Sequence, residues 1–269
     1  MRSVPEAVRP TFSETRVIHH QEEVMGTVVT FTLYPSRATP EGELYLCLAA
    51  ARSVLRRADA VFSTWRPHSP LSRLRRDEIS LDACPTVVRE VLDQCLTMRE
   101  VTDGWFDPWA MPGGVDPTGM VKGWAAEQAL REFQSVELGG AIVNAAGDIS
   151  TFGGPRAFAT FRVGVVDPHH VHQLACTANV VGAIATSGTY ERGSHLVDPR
   201  SGRREVRCAS ATVTGPSLAI ADALATALAV AGAEGLRFVD RLAEYQGFVV
   251  ALDGSRASSG AFPFAAEAI

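Results

Sequence analysis

Lysine is almost missing from this sequence: of 25 Lys and Arg residues, a single one, Lys122, is lysine. Basic residues are also outnumbered by 30 Asp and Glu, leaving a formal net charge of -5. That balance excludes a partner held by phosphate neutralisation, so no nucleic acid is expected. No stretch approaches the roughly 20 uninterrupted apolar residues of a membrane helix, and no membrane anchor is expected. The opening Met1-Arg2-Ser3-Val4-Pro5-Glu6 lacks the apolar core and small-residue cleavage site of a secretory signal, which points to the cytoplasm. Cysteine is sparse and irregular: Cys47, Cys84, Cys95, Cys176 and Cys208 are odd in number and show no two-residue spacing. A zinc ribbon and a disulfide framework are thereby excluded, leaving free thiols in a reducing compartment.

What is present is an ordinary globular composition, 46% hydrophobic and 20% charged over 269 residues. A chain of this length buries about three quarters of its unfolded surface and needs no staples. Val24–Leu33 alternates and is rich in β-branched residues, the pattern of a strand. Residues 41–59 place Leu44, Leu48, Ala51, Leu55 and Ala58 at helical spacing, and residues 85–101 form a second amphipathic helix. Further helices are predicted over 121–134 and 217–231, and strands over 141–143, 158–166, 178–186, 206–214 and 247–252. Their irregular interleaving indicates an α+β fold rather than a regular βαβ array. One domain over 24–269 is expected after an N-terminal extension, residues 1–23.

The segment 217–230 is apolar nearly all the way round, which places it in the interior. Asp222 in such a helix is costly unless paired or bound to a metal. Thr226 follows four residues later, so two oxygens leave one face, a pattern suited to a hard cation such as Mg²⁺. The alternative is that Asp222 caps a neighbouring loop and Thr226 bonds back to its own helix. Asp116-Pro117-Thr118-Gly119 opens a helix that carries Lys122, and amides at a helix start together with an ammonium favour a phosphate; the alternative is a capped helix with a solvated lysine. Because Arg carries the positive charge nearly everywhere else, the lone Lys reflects either chance within a coding bias or a position where a compact ammonium is wanted. His195, after a strand and a glycine-containing loop, is a candidate to accept a proton from a hydroxyl. Trp65, Trp105 and Phe106 are aromatics able to stack on a flat ring, and Asn144 through Ile149 ends a strand with small residues.

Taken in order, Met25-Gly26-Thr27, Phe62-Ser63-Thr64-Trp65, Gly104-Trp105-Phe106-Asp107-Pro108, Asp116 through Ala125, Asn144 through Ile149, Ala185-Thr186-Ser187-Gly188, His195 through Gly202 and Ala221 through Ala227 resemble the ApbE family of FAD:protein FMN transferases. The resemblance spans residues 24–252 and implies an α+β fold with FAD in a central cleft. It also implies Mg²⁺ beside the pyrophosphate, and transfer of FMN from FAD to a Thr or Ser hydroxyl of a target flavoprotein with release of AMP. Carried over by motif, the metal ligands are the side chains of Asp222 and Thr226 and the backbone carbonyl of Gly119. FAD contacts fall on Met25, Trp65, Trp105, Phe106, Asp107, Asp116, Lys122 and Leu196, and the catalytic histidine on His195. Two other activities share such a site: an Mg²⁺-dependent FAD pyrophosphatase yielding FMN and AMP, and a non-catalytic FAD-binding protein.

Overall fold

Alternation of apolar residues builds the first hairpin. The computed structural model describes residues 16–153, 160–188 and 196–266. Within them β1 (Ile18–Val24) and β2 (Thr27–Pro35) are joined at Met25-Gly26, both at positive φ (55° and 69°), the two-residue turn that matches strand twist. The predicted strand over Val24–Leu33 is therefore interrupted by a turn, and residues 18–23 belong to the sheet rather than to an N-terminal extension. Their polar run, His19 through Glu23, suits an edge strand, where outward side chains meet water. Val29, Phe31 and Leu33 of β2 point inward and are fully buried.

The chain continues through α1 (Glu41–Phe62), α2 (Pro70–Arg75), α3 (Thr86–Val101) and α4 (Thr118–Arg131). It returns through β3 (Leu138–Ala145), β4 (Asp148–Gly153), β5 (Phe161–Asp167), β6 (His170–Val180), β7 (Ala183–Gly188) and β8 (Cys208–Gly215). It closes with α5 (Leu218–Ala231), α6 (Leu236–Val239), β9 (Gln246–Ala251) and β10 (Arg256–Ser258). Eight strands form one antiparallel sheet in the order β1-β2-β3-β4-β7-β8-β9-β10, and β5 and β6 form a separate hairpin inserted between β4 and β7. This is an α+β fold.

The predicted single strand at 178–186 is two strands in different sheets, parted by Val181-Gly182, with Gly182 at φ 89°. The α4 helix starts at Thr118, three residues earlier than expected, which brings Gly119 inside its first turn. Helix α5 is buried along almost its whole length, packed on α4, β7 and β8. The run Leu218–Val239 is long and apolar enough to cross a membrane by length and composition, though Asp222, Thr226, Glu234 and Arg237 interrupt it and 78% of its most apolar window is buried in the fold. A 3-10 turn at Gly232–Gly235 also breaks it into α5 and α6. The thiols are free, and burial pushes Cys95 and Cys208 up to about 12, leaving them unreactive.

One buried charge ties the first hairpin to the helices. The Glu22 side chain, 8% exposed, accepts from Arg52 Nε and Arg56 Nε, each at 2.7 Å. Burial alone raises its pKa, but the Arg52 and Arg56 hydrogen bonds and charges outweigh that and hold it below the ordinary 4.5. A depressed folded pKa makes this contribution complete above the unfolded value and erodes it as pH falls through the folded one. Glu22→Gln should cost about 2 kcal/mol at neutral pH, the scale of a charge-assisted hydrogen bond. The melting temperature, followed from pH 7 to pH 3, should then fall less steeply with acidification in the variant than in the parent.

Candidate functional site

Helices α4 and α5 meet closely because glycine lines the seam. A Cβ on Gly123 would lie 2.5 Å from the Leu218 carbonyl oxygen and 2.9 Å from Asp222 Cβ, distances no real side chain adopts. One turn earlier, a Cβ on Gly119 would lie 3.2 Å from Thr226 Oγ1 and 3.3 Å from the Phe106 ring. One turn later, Glu127 Oε2 accepts from Ser217 Oγ at 2.6 Å and from the Ala219 amide at 3.3 Å, capping the start of α5. The pairs Gly119–Thr226, Gly123–Asp222 and Glu127–Ala219 show that the two helices run antiparallel.

The seam decides what Asp222 does. Its carboxylate, 3% exposed, accepts from the Gly123 amide at 3.0 Å. Helical pairing assigns that same amide to the carbonyl of Gly119. The acid therefore draws on the donor of the carbonyl that shares its candidate ligand set. Thr226 Oγ1, beside Gly119, lies 3.4 Å from Ser187 Oγ at the end of β7. The predicted trio of Asp222, Thr226 and Gly119 thus lies along a single helix–helix contact. The Asp222 carboxylate reaches the helix facing it, and the Thr226 hydroxyl faces Ser187 on β7.

Lys122 belongs to the same place. Its Nζ lies 2.5 Å from Asp148 Oδ2, and its side chain keeps 23% exposure while that of Asp148 keeps 1%. Asp148 Oδ1 accepts from the Thr186 amide at 2.9 Å, one residue before Ser187. Asp148, Thr186 and Ser187 had no assigned role at the level of sequence. The readable signal was the Ala146-Gly147 pair before Asp148: both sit at positive φ (53° and 90°), a turn that aims the first residue of β4.

Other predicted residues occupy different environments. Trp65 is 91% exposed, so core packing does not account for it. Trp105 is buried, with the Arg200 and Arg207 guanidinium carbons 4.5 and 4.8 Å from its ring centre, an arrangement in which cations lie against the ring. Phe106 is buried against Gly119. Asp107 accepts from the Trp109 amide at 2.9 Å and pairs with Arg99 at 2.8 Å. Asp116 pairs with Arg75 at 2.8 Å and accepts from the Thr118 amide and hydroxyl, fixing the approach to α4. Met25 sits in the β1–β2 turn and Leu196 is half-buried against the main core. His195 lies outside the described residues. Among the described residues no group of three or more His, Cys, Asp and Glu side chains is placed to hold a metal.

The sequence profile of the ApbE family matches residues 25–113 and 110–249. A FAD:protein FMN transferase of Rhodobacter capsulatus is 33% identical over 122 residues, covering 42% of this chain and 23% of that protein. One from Vibrio cholerae is 33% identical over 133 residues, covering 45% and 39%. The matched stretches therefore span well under half of either relative. Among solved structures, the flavin transferase ApbE from Vibrio cholerae superposes with a TM-score of 0.80 at 21% identity, over 92% of this chain and 98% of that one. The apo form of the Pseudomonas stutzeri flavinyl transferase ApbE gives 0.78 at 22% identity, over 93% and 98%.

The seam geometry makes a thermal prediction. Gly123→Ala should lower the melting temperature by several degrees, since overpacking of about 1–3 kcal/mol moves a chain of this size by about 2–4 °C per kcal/mol. Gly42→Ala on α1, where a Cβ meets nothing within 4 Å, should leave it unchanged or raise it, as calorimetry on both variants will show.

Proposed function

The chain belongs to the ApbE family, and from that membership we propose that it transfers FMN from FAD to a Thr or Ser hydroxyl of a target flavoprotein. The acceptor oxygen attacks the FMN-side phosphorus. The bond from that phosphorus to the bridging oxygen breaks, AMP leaves with that oxygen, and the acceptor proton passes to His195. The observation that carries this reading is one antiparallel helix seam that sets Asp222 against the Gly123 amide and Thr226 against Gly119, with Lys122 on the same helix as both glycines.

The donor set is all oxygen: a buried carboxylate, a hydroxyl and a helix carbonyl, with a second hydroxyl, Ser187, at 3.4 Å from the first. That chemistry fits a hard divalent cation, so Asp222, Thr226 and Gly119 would hold Mg²⁺. When bound, Mg²⁺ supplies charge neutralisation for the pyrophosphate and the departing phosphate. Lys122 adds a fixed positive charge near the start of α4, where amide dipoles also favour phosphate. The exposed Trp65 indole offers a face for the flat flavin or adenine ring. Met25 in the β1–β2 turn and Leu196 between β7 and β8, both half-buried, would supply apolar contact.

Purified protein incubated with FAD, MgCl₂ and a candidate acceptor should yield an acceptor heavier by one FMN moiety and an equivalent of AMP. His195→Ala should abolish transfer while FAD still binds, as fluorescence titration of the flavin reports. Asp222→Asn, which keeps an acceptor for the Gly123 amide, should lower transfer about 100-fold or more and remove its response to Mg²⁺. Full transfer by the His195→Ala variant removes that residue from the mechanism. FMN and AMP released without acceptor labelling would make the protein a pyrophosphatase instead.

A further inference from the structure

Asp148 stands outside the metal and FAD set carried over by motif, yet it is among the most buried acids of the described chain, with 1% side-chain exposure. Its two oxygens face two different parts of the site. Oδ2 lies 2.5 Å from Lys122 Nζ on α4, and Oδ1 accepts from the Thr186 amide on β7 at 2.9 Å. Thr186 is in turn fixed sideways, its Oγ1 3.0 Å from Thr212 Oγ1 on β8. The next residue, Ser187, presents Oγ to Thr226 Oγ1. A single carboxylate therefore sets the ammonium on one side and the strand end that abuts the metal-ligand threonine on the other.

The backbone is shaped for this. Ala146 and Gly147 take positive φ, and the Gly147 amide donates to Asn144 Oδ1 at 2.8 Å, closing the β3–β4 turn so that the first residue of β4 is the acid. Ala146 is a non-glycine residue in the left-handed region, which an L residue adopts only against steric cost. The ammonium is the only lysine in an arginine-based chain. A guanidinium is a broad planar fork, whereas an ammonium is compact enough to be drawn to one buried oxygen and still expose part of itself. The Lys122 side chain as a whole keeps 23% exposure beside the buried carboxylate.

We infer that Asp148 is a positioning residue of the flavin-transfer site: it holds the Lys122 ammonium at the phosphate position and aligns the Thr186–Ser187 strand end against Thr226. It acts through Lys122 and β7, not on FAD itself, and the inference rests on the transfer reading above. A preset cation stabilises charge that develops as AMP departs, whereas a wandering one can still meet the pyrophosphate in the ground state. Loss of Asp148 should consequently slow turnover and leave FAD affinity nearly intact.

The test is Asp148→Asn, an isosteric change that still accepts from the Thr186 amide, with Asp148→Glu as a charge-retaining second variant that shifts the carboxylate by one methylene. Each is assayed for AMP release from FAD with MgCl₂ and acceptor, for FAD affinity by flavin fluorescence, and for thermal stability. Expected is a fall in kcat of about 10- to 100-fold, the usual scale for a residue that orients a functional group, with FAD affinity within about 3-fold of the parent. A purely structural role would lower the melting temperature and scale activity with the folded fraction, leaving kcat per folded molecule unchanged; that result overturns the inference. So does wild-type turnover in a folded variant of either kind, or a loss of FAD affinity matching the loss of rate. A parent protein that releases no AMP from FAD would fail differently, removing the transfer reading and this inference together.

Discussion

The close approach of α4 to α5 governs the chemistry of the candidate site. Two helices can come this near only if one of them surrenders its side chains at the contact, and Gly119 and Gly123 do so at successive turns. What fills the space is the other helix's functional face: Thr226 opposite Gly119 and Asp222 opposite Gly123. A carboxylate in an otherwise apolar helix has a strong desolvation penalty, and the amide it meets across the seam offsets part of it. Packing and chemistry are thus the same contact. Widening the seam would separate the ligands, and closing it is impossible while the peptide groups already touch.

The sheet supplies the second half of the arrangement. Its antiparallel order places β4 beside β7, with the β5–β6 hairpin looping out between them in the chain. The start of β4 and the end of β7 consequently lie at one end of the sheet, where Asp148 meets the Thr186 amide. Helix α5 packs on β7 and β8, so the β7 terminus arrives next to Thr226 without any long loop. Rigid elements, not excursions of coil, hold the oxygens and the ammonium, which is the arrangement that preserves geometry to fractions of an ångström.

Much of this was legible in residues alone, for physical reasons that differ from place to place. Helix α5 announced itself because an all-round apolar helix with one acid has few interpretations, and α1 and α3 because their apolar stripes are regular. The early strand was misread as continuous because Met25, a non-glycine residue, takes a positive φ that periodicity does not reveal. β1 was missed because its edge position lets polar residues fill it, and the 178–186 run hid a turn because both flanking strands are buried at their near ends. Trp105 and Phe106 were legible as aromatics but their neighbours were not, since aromatic type carries no sign of direction: Trp105 lies against two arginines and Phe106 against Gly119. Asp148 was quoted within a motif but given no task, since a short polar pair after a strand does not say which helix will lie above it.

The charges of the site also carry an argument about order. Asp148 pairs with the Lys122 ammonium, Asp222 accepts from the amide of the next residue, Gly123, and Asp116 at the approach to α4 is matched by Arg75. These groups together lean negative, while a pyrophosphate bridge brings a negative charge on each phosphate. Such a substrate is disfavoured by the bare carboxylates at short range, where partial burial weakens solvent screening. The acids make sense in a phosphate site if they are there for cations: Asp222 for a hard divalent ion and Asp148 for the ammonium. The near-absence of lysine elsewhere then has a physical reading. Arginine serves the surface pairs and the buried Glu22, where a fork with several donors is an advantage, and lysine is kept for the one position where a compact charge must be shared between a buried oxygen and an arriving phosphate.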